Sequence, residues 1–354
     1  MLDGPTPRLL DEWQIAPAIW NHVRRAIDDR GEPGQFILTG SAVPPDDITR
    51  HTGAGRISRL LMRPMSLFET KRSNGAISLR QMLDGIVSPV ADPGLSLADL
   101  TEELARGGWP GLRGRTLADG LVAVRDYLQE VARVDVGRAD AASRDPNRVL
   151  RLLQSLARNV ATHAAATTLA RDTGGAENPL KDDTVRGYLA ILERLMVIED
   201  QPAWAPQLRS RYRLRTAPKR HFVDPSLAVA ALRATPDRLL RDLELLGFLF
   251  ESLVVRDLRV YAQAADARVL QYRDDSGLEV DAIVEAGDGR WMAFEVKLGA
   301  GQADEAAASL RRFVERIDIG QCGSPALLGV IVASGYGYRR EDGVAVIPIG
   351  ALGP

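Results

Sequence analysis

LEVDAIVEAGDGRWMAFEVK, residues 278–297, is the stretch that decides the fold of the C-terminal third of the chain. Two apolar runs flank Gly287-Asp288-Gly289, and such runs on either side of a glycine-rich turn predict a β-hairpin. Because alternate side chains of a strand share a face, Glu295 and Lys297 project to the same side of the second strand. A hairpin closed at this turn also places Asp281 nearly opposite Glu295. The stretch therefore predicts a cluster of two carboxylates and one ammonium group.

This cluster resembles the signature of the PD-(D/E)xK nuclease superfamily, in which an Asp and a Glu hold magnesium and a Lys helps to activate water. By this resemblance Asp281 and Glu295 are metal ligands, Glu295 and Lys297 are catalytic residues, and Glu251 on the preceding helix borders the metal. Two carboxylates suit a Mg²⁺ ion that keeps several of its waters. Two alternatives stay open: a degenerate nuclease-like scaffold, and Lys297 as an ordinary ion-pair partner.

The segment around the hairpin, residues 236–354, alternates helices and strands. The pattern predicts a helix at 237–262, strands at 268–273, 278–285, 290–297 and 327–333, and a helix at 302–316. This order predicts an α/β domain, and the resemblance to the PD-(D/E)xK superfamily implies that the domain is restriction-endonuclease-like. Lysine is rare here, with 4 lysines among 45 basic residues, and this rarity adds weight to a lysine at position 297.

The middle segment, residues 141–235, predicts a winged helix. Helices are expected at 147–160, 163–171 and 182–196, followed by a proline-punctuated, strand-rich tail. In that tail four arginines alternate and would share one strand face: Arg209, Arg211, Arg213 and Arg215. A basic ribbon beside a helix-turn-helix is typical of duplex DNA contact. The alternatives are a solvated wing strand and a protein-interaction module.

The first forty residues predict a strand, a helix and a second strand, the order of a parallel α/β sheet. The apolar run at 8–10 leads into Asp11-Glu12, and the run at 35–39 leads to Ser41. Carboxylates at the C-terminal end of such a strand point into the crevice where α/β proteins bind ligands.

Three stretches of this region, LLDEWQ, FILTGSA and GRISRLLMRPMSLFE, resemble a prokaryotic AAA-type ATPase family whose members carry a C-terminal domain of unknown function, number 4143. The resemblance implies ATP and Mg²⁺ as cofactors and makes residues 1–140 the back half of a P-loop ATPase core with its helical lid. It assigns Walker B roles to Asp11 and Glu12, a sensor role to Ser41, and an arginine-finger role to Arg56.

The chain departs from that family in the phosphate-binding loop. A Walker A motif needs G-x-x-x-x-G-K-[ST], and the 354 residues contain no Gly-Lys pair. The family would also have about eighty further residues before the Walker B strand. We therefore expect this chain not to hydrolyse ATP. A mis-assigned start or broken gene and a natural ATPase-dead paralogue both explain the departure.

The composition of the chain bears on its expected partners and on its expected location in the cell. A net charge of −2 gives no overall attraction to nucleic acid, so DNA binding must depend on a local patch. One cysteine, Cys322, excludes an internal disulfide framework and fits a cytoplasmic protein. No apolar run is long enough to span a bilayer, so no membrane partner is expected. Three functions stay open: an ATPase-family protein that acts on DNA or a partner, a metal-dependent nuclease, and a non-catalytic interaction module that binds another protein or a second copy of itself.

Overall fold

The computed structural model describes five stretches of the chain: residues 2–41, 53–136, 145–174, 180–206 and 217–354. The first stretch is a β-α-β unit made of β1 (Arg8–Leu10), α1 (Ile19–Arg30) and β2 (Phe36–Leu38). The two strands pair in parallel, with Leu9 opposite Ile37. The predicted strand, helix and strand are thus confirmed.

The middle of the chain is a helical assembly. Its elements are β3 (Ile77–Ser78), α2 (Leu79–Leu83), α3 (Leu97–Arg106), α4 (Leu117–Glu130), α5 (Pro146–Arg158), α6 (Ala166–Gly174), α7 (Asp182–Arg194), α8 (Pro225–Ala231) and α9 (Pro236–Leu240). Helices α5 to α7 lie where the three helices of a winged helix were predicted. Helix α8 packs against α3, α4 and α5, so one apolar core crosses the boundary predicted at residue 140.

Several helix starts follow from local capping chemistry. Ser96 and Asp99 form a capping box at α3, in which each side chain accepts a hydrogen bond from the other residue's backbone N–H. Asp145 caps α5, and Asp224 caps α8. Both aspartates are followed by proline, which favours the first position of a helix. These caps place the helix starts independently of the tertiary fold.

The C-terminal part of the chain is built on a six-stranded sheet. Its elements are α10 (Leu243–Ala264), β4 (Ala267–Arg273), β5 (Glu279–Ala286), β6 (Trp291–Lys297), α11 (Ala303–Arg316), α12 (Ile319–Cys322), β7 (Leu327–Val332), β8 (Tyr338–Arg339), β9 (Ala345–Pro348) and β10 (Leu352–Gly353). The strand order is β4-β5-β6-β7-β9-β8. Strands β4, β5 and β6 are antiparallel neighbours, whereas β6, β7 and β9 are parallel. The chain is therefore of mixed α and β structure, as predicted.

Both faces of this sheet are covered, so both sets of alternating side chains are buried. Helix α10 packs over one face, where Val284, Met292 and Phe294 lie in the larger core. Helix α11 packs over the other face, where Ile283 and Ala293 join a second core. Strand β10 is not part of the six-stranded sheet. It pairs with β3, so the end of the chain joins the helical middle to the C-terminal part. Among the described residues, no helix combines the length and apolarity needed to cross a bilayer.

Candidate active site

The hairpin of β5 and β6 sets the positions of three predicted site residues. Ala282 pairs with Phe294, and the next step of this antiparallel register places Asp281 beside Glu295. Lys297 Nζ lies 2.8 Å from Glu295 Oε2 and 3.8 Å from Asp281 Oδ2. The same Asp281 oxygen accepts a hydrogen bond from the backbone N–H of Val296 at 2.9 Å. The structure thus brings Asp281, Glu295 and Lys297 together at the end of β6.

The fourth predicted residue, Glu251, reaches the same cluster from α10. It does so through a residue that sequence reasoning did not place here, Lys219. The Lys219 Nζ lies 2.6 Å from Glu251 Oε1 and 3.1 Å from Asp281 Oδ1. Lys219 is 2% exposed, and Glu251 is 8% exposed, so this ammonium group is enclosed between two carboxylates. One signal in the sequence could have found it: two of only four lysines in the chain meet in this cluster.

A short ribbon of backbone holds Lys219 in place. Lys219 and Gln201 exchange two backbone hydrogen bonds, of 2.9 and 3.1 Å. The Gln201 side-chain amide donates to the carbonyl oxygens of Leu270 and Asp281, which ties the ribbon to β4 and β5. The buried His221 ring lies between Ser252 Oγ and Gln201 Oε1, at 3.1 Å from each. The backbone of Lys219 is therefore fixed against both the sheet and α10.

The charges of the cluster do not balance, because three carboxylates face two ammonium groups. Burial and the repulsion of Asp281 raise the pKa of Glu251 to about 8 and that of Glu295 to about 8. Burial alone would also raise the pKa of Asp281, but Lys219 and Lys297 hold it below its usual value. Burial opposes the charge of Lys219, yet its two carboxylate partners hold its pKa above the usual value. Both glutamates therefore hold a proton more tightly than a free carboxyl group does, and a further cation would compete with that proton.

The cluster opens on a cavity of about 880 Å³. Lys219, Glu251, Asp281 and Lys297 all line this cavity, and His163 lines it as well. His163 Nδ1 donates to the carbonyl oxygen of Ala217 at 3.1 Å, so its Nε2 carries the lone pair. Burial lowers the pKa of His163, which keeps the ring neutral. The structure thus places a neutral imidazole among the residues that line the cavity.

The donor atoms of the cluster suit a hard cation. Among the described side chains, no three His, Cys, Asp or Glu residues are grouped closely enough to hold a metal ion by themselves. Mg²⁺ does not need such a group, since it binds through one or two carboxylates and completes its shell with water and substrate phosphate oxygens. Asp281 together with Glu295 or Glu251 provides these carboxylates, provided that the Lys219 ammonium no longer contacts Asp281 and Glu251.

The predicted nucleotide-site residues lie at the ends of β1 and β2. Asp11 and Glu12 follow β1 and are exposed. The Thr39 hydroxyl donates to Asp11, and the Ser41 hydroxyl donates to Glu12 Oε2 at 3.3 Å. Arg56 lies elsewhere, because its guanidinium pairs with Asp28 near the end of α1. The structure therefore brings together Asp11, Glu12 and Ser41 but not Arg56.

The four arginines of the predicted basic ribbon, Arg209, Arg211, Arg213 and Arg215, lie outside the described residues.

Two family models match neighbouring regions of the chain, and the cluster contains residues from both regions. Residues 97–238 match the domain of unknown function DUF8612, and residues 246–352 match the domain of unknown function DUF4143. No curated protein and no solved structure matches. The second match confirms the C-terminal part of the predicted resemblance, whereas the ATPase resemblance stays a prediction. Lys219 belongs to the first matched region, and its carboxylate partners belong to the second.

Proposed function

We propose that residues 246–352 form a Mg²⁺-dependent nuclease domain that hydrolyses phosphodiester bonds in nucleic acid. The observation that carries this proposal is the convergence of Asp281, Glu295 and Lys297 at one end of a buried hairpin, where Asp281 and Lys297 line an open cavity. Buried carboxylates that repel each other cost stability unless a cation joins them, so such an arrangement favours a ligand-binding role.

Each residue has a role that its position allows. Asp281 with Glu295 or Glu251 would hold the metal, which when bound would stabilise charge on the phosphate and lower the pKa of a bound water. The Lys297 side chain is 30% exposed, so its ammonium can meet the substrate while it stays bonded to Glu295. There it stabilises the negative charge that develops on the phosphate.

The proposal predicts cleavage that depends on both the metal and Asp281. We expect Asp281→Asn to lower the rate of Mg²⁺-dependent cleavage by about 10³-fold, since the metal contributes several kcal/mol to the transition state. The measurement uses labelled duplex DNA, single-stranded DNA and RNA with Mg²⁺, with Mn²⁺ and with a chelator. Asp288→Asn is the matched control, because Asp288 lies exposed in the turn of the same hairpin.

Two results would decide against a nuclease. One is the lack of metal-dependent cleavage of all three substrates by the intact chain. The other is cleavage that Asp281→Asn and Asp288→Asn leave equally unchanged. Either result favours the alternative in which the nuclease-like domain is a non-catalytic interaction module.

We also propose that residues 8–41 retain part of an AAA-type nucleotide site without the capacity for hydrolysis. The pairing of Asp11 with Thr39 and of Glu12 with Ser41 supports this, since acid and hydroxyl groups meet at the ends of adjacent parallel strands. The chain lacks the lysine and amide cradle that would hold the phosphates. We expect no phosphate release from saturating Mg-ATP. Saturable turnover that Glu12→Gln abolishes would show that this expectation is wrong.

A further inference from the structure

Lys219 takes the place in the cluster that a metal ion would need. Its Nζ contacts Glu251 Oε1 from one side and Asp281 Oδ1 from the other, at 2.6 and 3.1 Å. The side chain of Lys219 is 3% exposed, whereas that of Lys297 is 30% exposed. The two lysines therefore have different surroundings: Lys297 faces the cavity, while Lys219 is enclosed by the carboxylates themselves.

We propose that Lys219 is an internal cation that competes with the divalent metal for Glu251 and Asp281, so that the protein rests in a closed, metal-free form. In this form the Lys219 ammonium pairs with both acidic side chains. A metal ion can bind those two oxygen atoms only after the Lys219 side chain has moved away. The proposal rests on the proposed function for the identity of the ion, and it adds how the site is kept closed.

The choice of residue supports a cation that can leave. Arginine is the usual basic residue of this chain, with 41 of the 45 basic residues, yet position 219 is a lysine. A guanidinium binds carboxylates through a rigid planar fork, whereas an ammonium is a compact point charge on a flexible stem. Lysine is thus the basic side chain that most resembles a bound metal ion and rotates most easily out of its position.

The surroundings give the displaced side chain a place to go. The backbone of Lys219 is fixed by Gln201, so the movement is confined to the side chain. That side chain lines the 880 Å³ cavity, which Glu244 and Glu279 also line. The ammonium can therefore leave Asp281 and still meet a carboxylate inside the cavity. Two adjacent cations would repel each other, so the ammonium and the metal occupy the position in turn.

The competing cation and the acidic side chains come from two different regions of the chain. Lys219 belongs to the region that matches DUF8612, whereas Glu251 and Asp281 belong to the region that matches DUF4143. The same ribbon reaches the helical assembly, because Arg220 N–H donates to the carbonyl oxygen of Thr162 and Ala161 N–H to that of Arg220. The backbone on either side of Lys219 is thus held by both the sheet and the helical assembly.

The first test measures metal affinity in the intact chain. We expect Lys219→Met to bind Mn²⁺ at least tenfold more tightly than the wild-type protein, because the competing charge is removed. Lys181→Met is the control, since it makes the same chemical change at an exposed lysine elsewhere in the chain. We also expect Lys219→Met to melt at a lower temperature without metal and to recover with Mn²⁺. A folded Lys219→Met protein with unchanged or weaker Mn²⁺ affinity would overturn the proposal.

The second test needs no variant. Reductive methylation followed by mass spectrometry reports the exposure of each of the 4 lysines. Lys71 and Lys181 are exposed and are expected to react under all conditions. Lys219 is expected to react only when saturating Mn²⁺ is present. Protection of Lys219 that persists at saturating metal would overturn the proposal, since the ammonium would then share the site with the ion.

The outcomes separate this proposal from the proposed nuclease activity. If Mn²⁺ binding tightens in Lys219→Met but no nucleic acid is cleaved, the nuclease proposal fails and the competition stands. If the protein cleaves nucleic acid and Lys219→Met leaves Mn²⁺ affinity unchanged, the competition fails and the nuclease proposal stands.

Discussion

Lys297→Met is expected to slow Mg²⁺-dependent cleavage by about 10²- to 10³-fold while the protein still binds the metal, since this is the usual cost of removing one preorganised charge from a transition state. The carboxylates that would hold the ion are unchanged in this variant. The Lys297 ammonium lies between Glu295, at 2.8 Å, and Asp281, at 3.8 Å, and it faces the cavity. It is therefore a positive group placed to meet a substrate phosphate that enters this cavity.

The measurement is a single-turnover cleavage rate at saturating substrate, accompanied by a Mn²⁺ titration of the same preparations. Lys181→Met is the matched control, because it removes an exposed lysine far from the hairpin. The two lysines of the cluster are expected to act in opposite ways: loss of Lys297 lowers the rate, whereas loss of Lys219 tightens metal binding. A Lys297→Met protein that cleaves at the rate of Lys181→Met would remove Lys297 from the catalytic machinery.

The hairpin could be predicted from the sequence because its geometry is local. The turn at Gly287-Asp288-Gly289 and the two-residue period of the strands determine the register, and β5 and β6 follow it. That register alone is enough to bring Asp281 and Glu295 to neighbouring positions. The prediction of Glu251 needed only a helix that precedes the sheet, and α10 provides it.

Lys219 could not be predicted in the same way, because its position depends on tertiary structure. It lies 32 residues before Glu251 and 62 before Asp281 in the chain. It reaches them from a ribbon of isolated bridges, Ile198 with Phe222 and Gln201 with Lys219, which leave no periodic pattern in the sequence. The scarcity of lysine was the available signal in the sequence. It draws attention to each lysine of the chain, but it does not show that Lys219 lies in the cluster.

Two further differences separate the structure from the pattern predicted for residues 236–354. The single helix predicted at 237–262 is divided into α9 and α10, because Asp242 accepts a hydrogen bond from Leu245 N–H and starts a new helix. Strand β9 was not predicted, since Ala345–Pro348 is a four-residue apolar run that ends in proline. Strand β9 is buried through its parallel pairing with β7, which is not a local contact in the sequence.

A second large effect is expected in stability, at a buried ion cluster on α10. The Arg256 guanidinium donates to Asp224 Oδ2 at 2.8 Å and to Asp257 Oδ1 at 2.7 and 2.9 Å. Both aspartate side chains are fully buried. Asp224 also accepts the backbone N–H of Gly108, and Asp257 accepts that of Leu67. This cluster therefore joins three distant parts of the chain to α10.

Arg256→Met is expected to lower the free energy of unfolding by about 3–5 kcal/mol, because it leaves two buried carboxylates without their cation. The measurement is urea denaturation of the intact chain at neutral pH. Arg268→Met is the control: Arg268 also pairs with a carboxylate at 2.8 Å, but its side chain is 68% exposed. An exposed pair contributes about 0–1 kcal/mol, so the control is expected to lose no more than that.

The double variant Arg256→Met with Asp257→Asn separates charge from packing. If the loss in Arg256→Met comes from an uncompensated carboxylate, removal of that charge at Asp257 must return part of the lost stability. If the loss comes from the volume and contacts of the arginine side chain, the second substitution adds a further loss. Equal stability of Arg256→Met and Arg268→Met would show that the cluster does not hold the three segments together. A loss that Asp257→Asn partly reverses would show that Arg256 stabilises the fold by compensating buried charge on α10, the helix that carries Glu251.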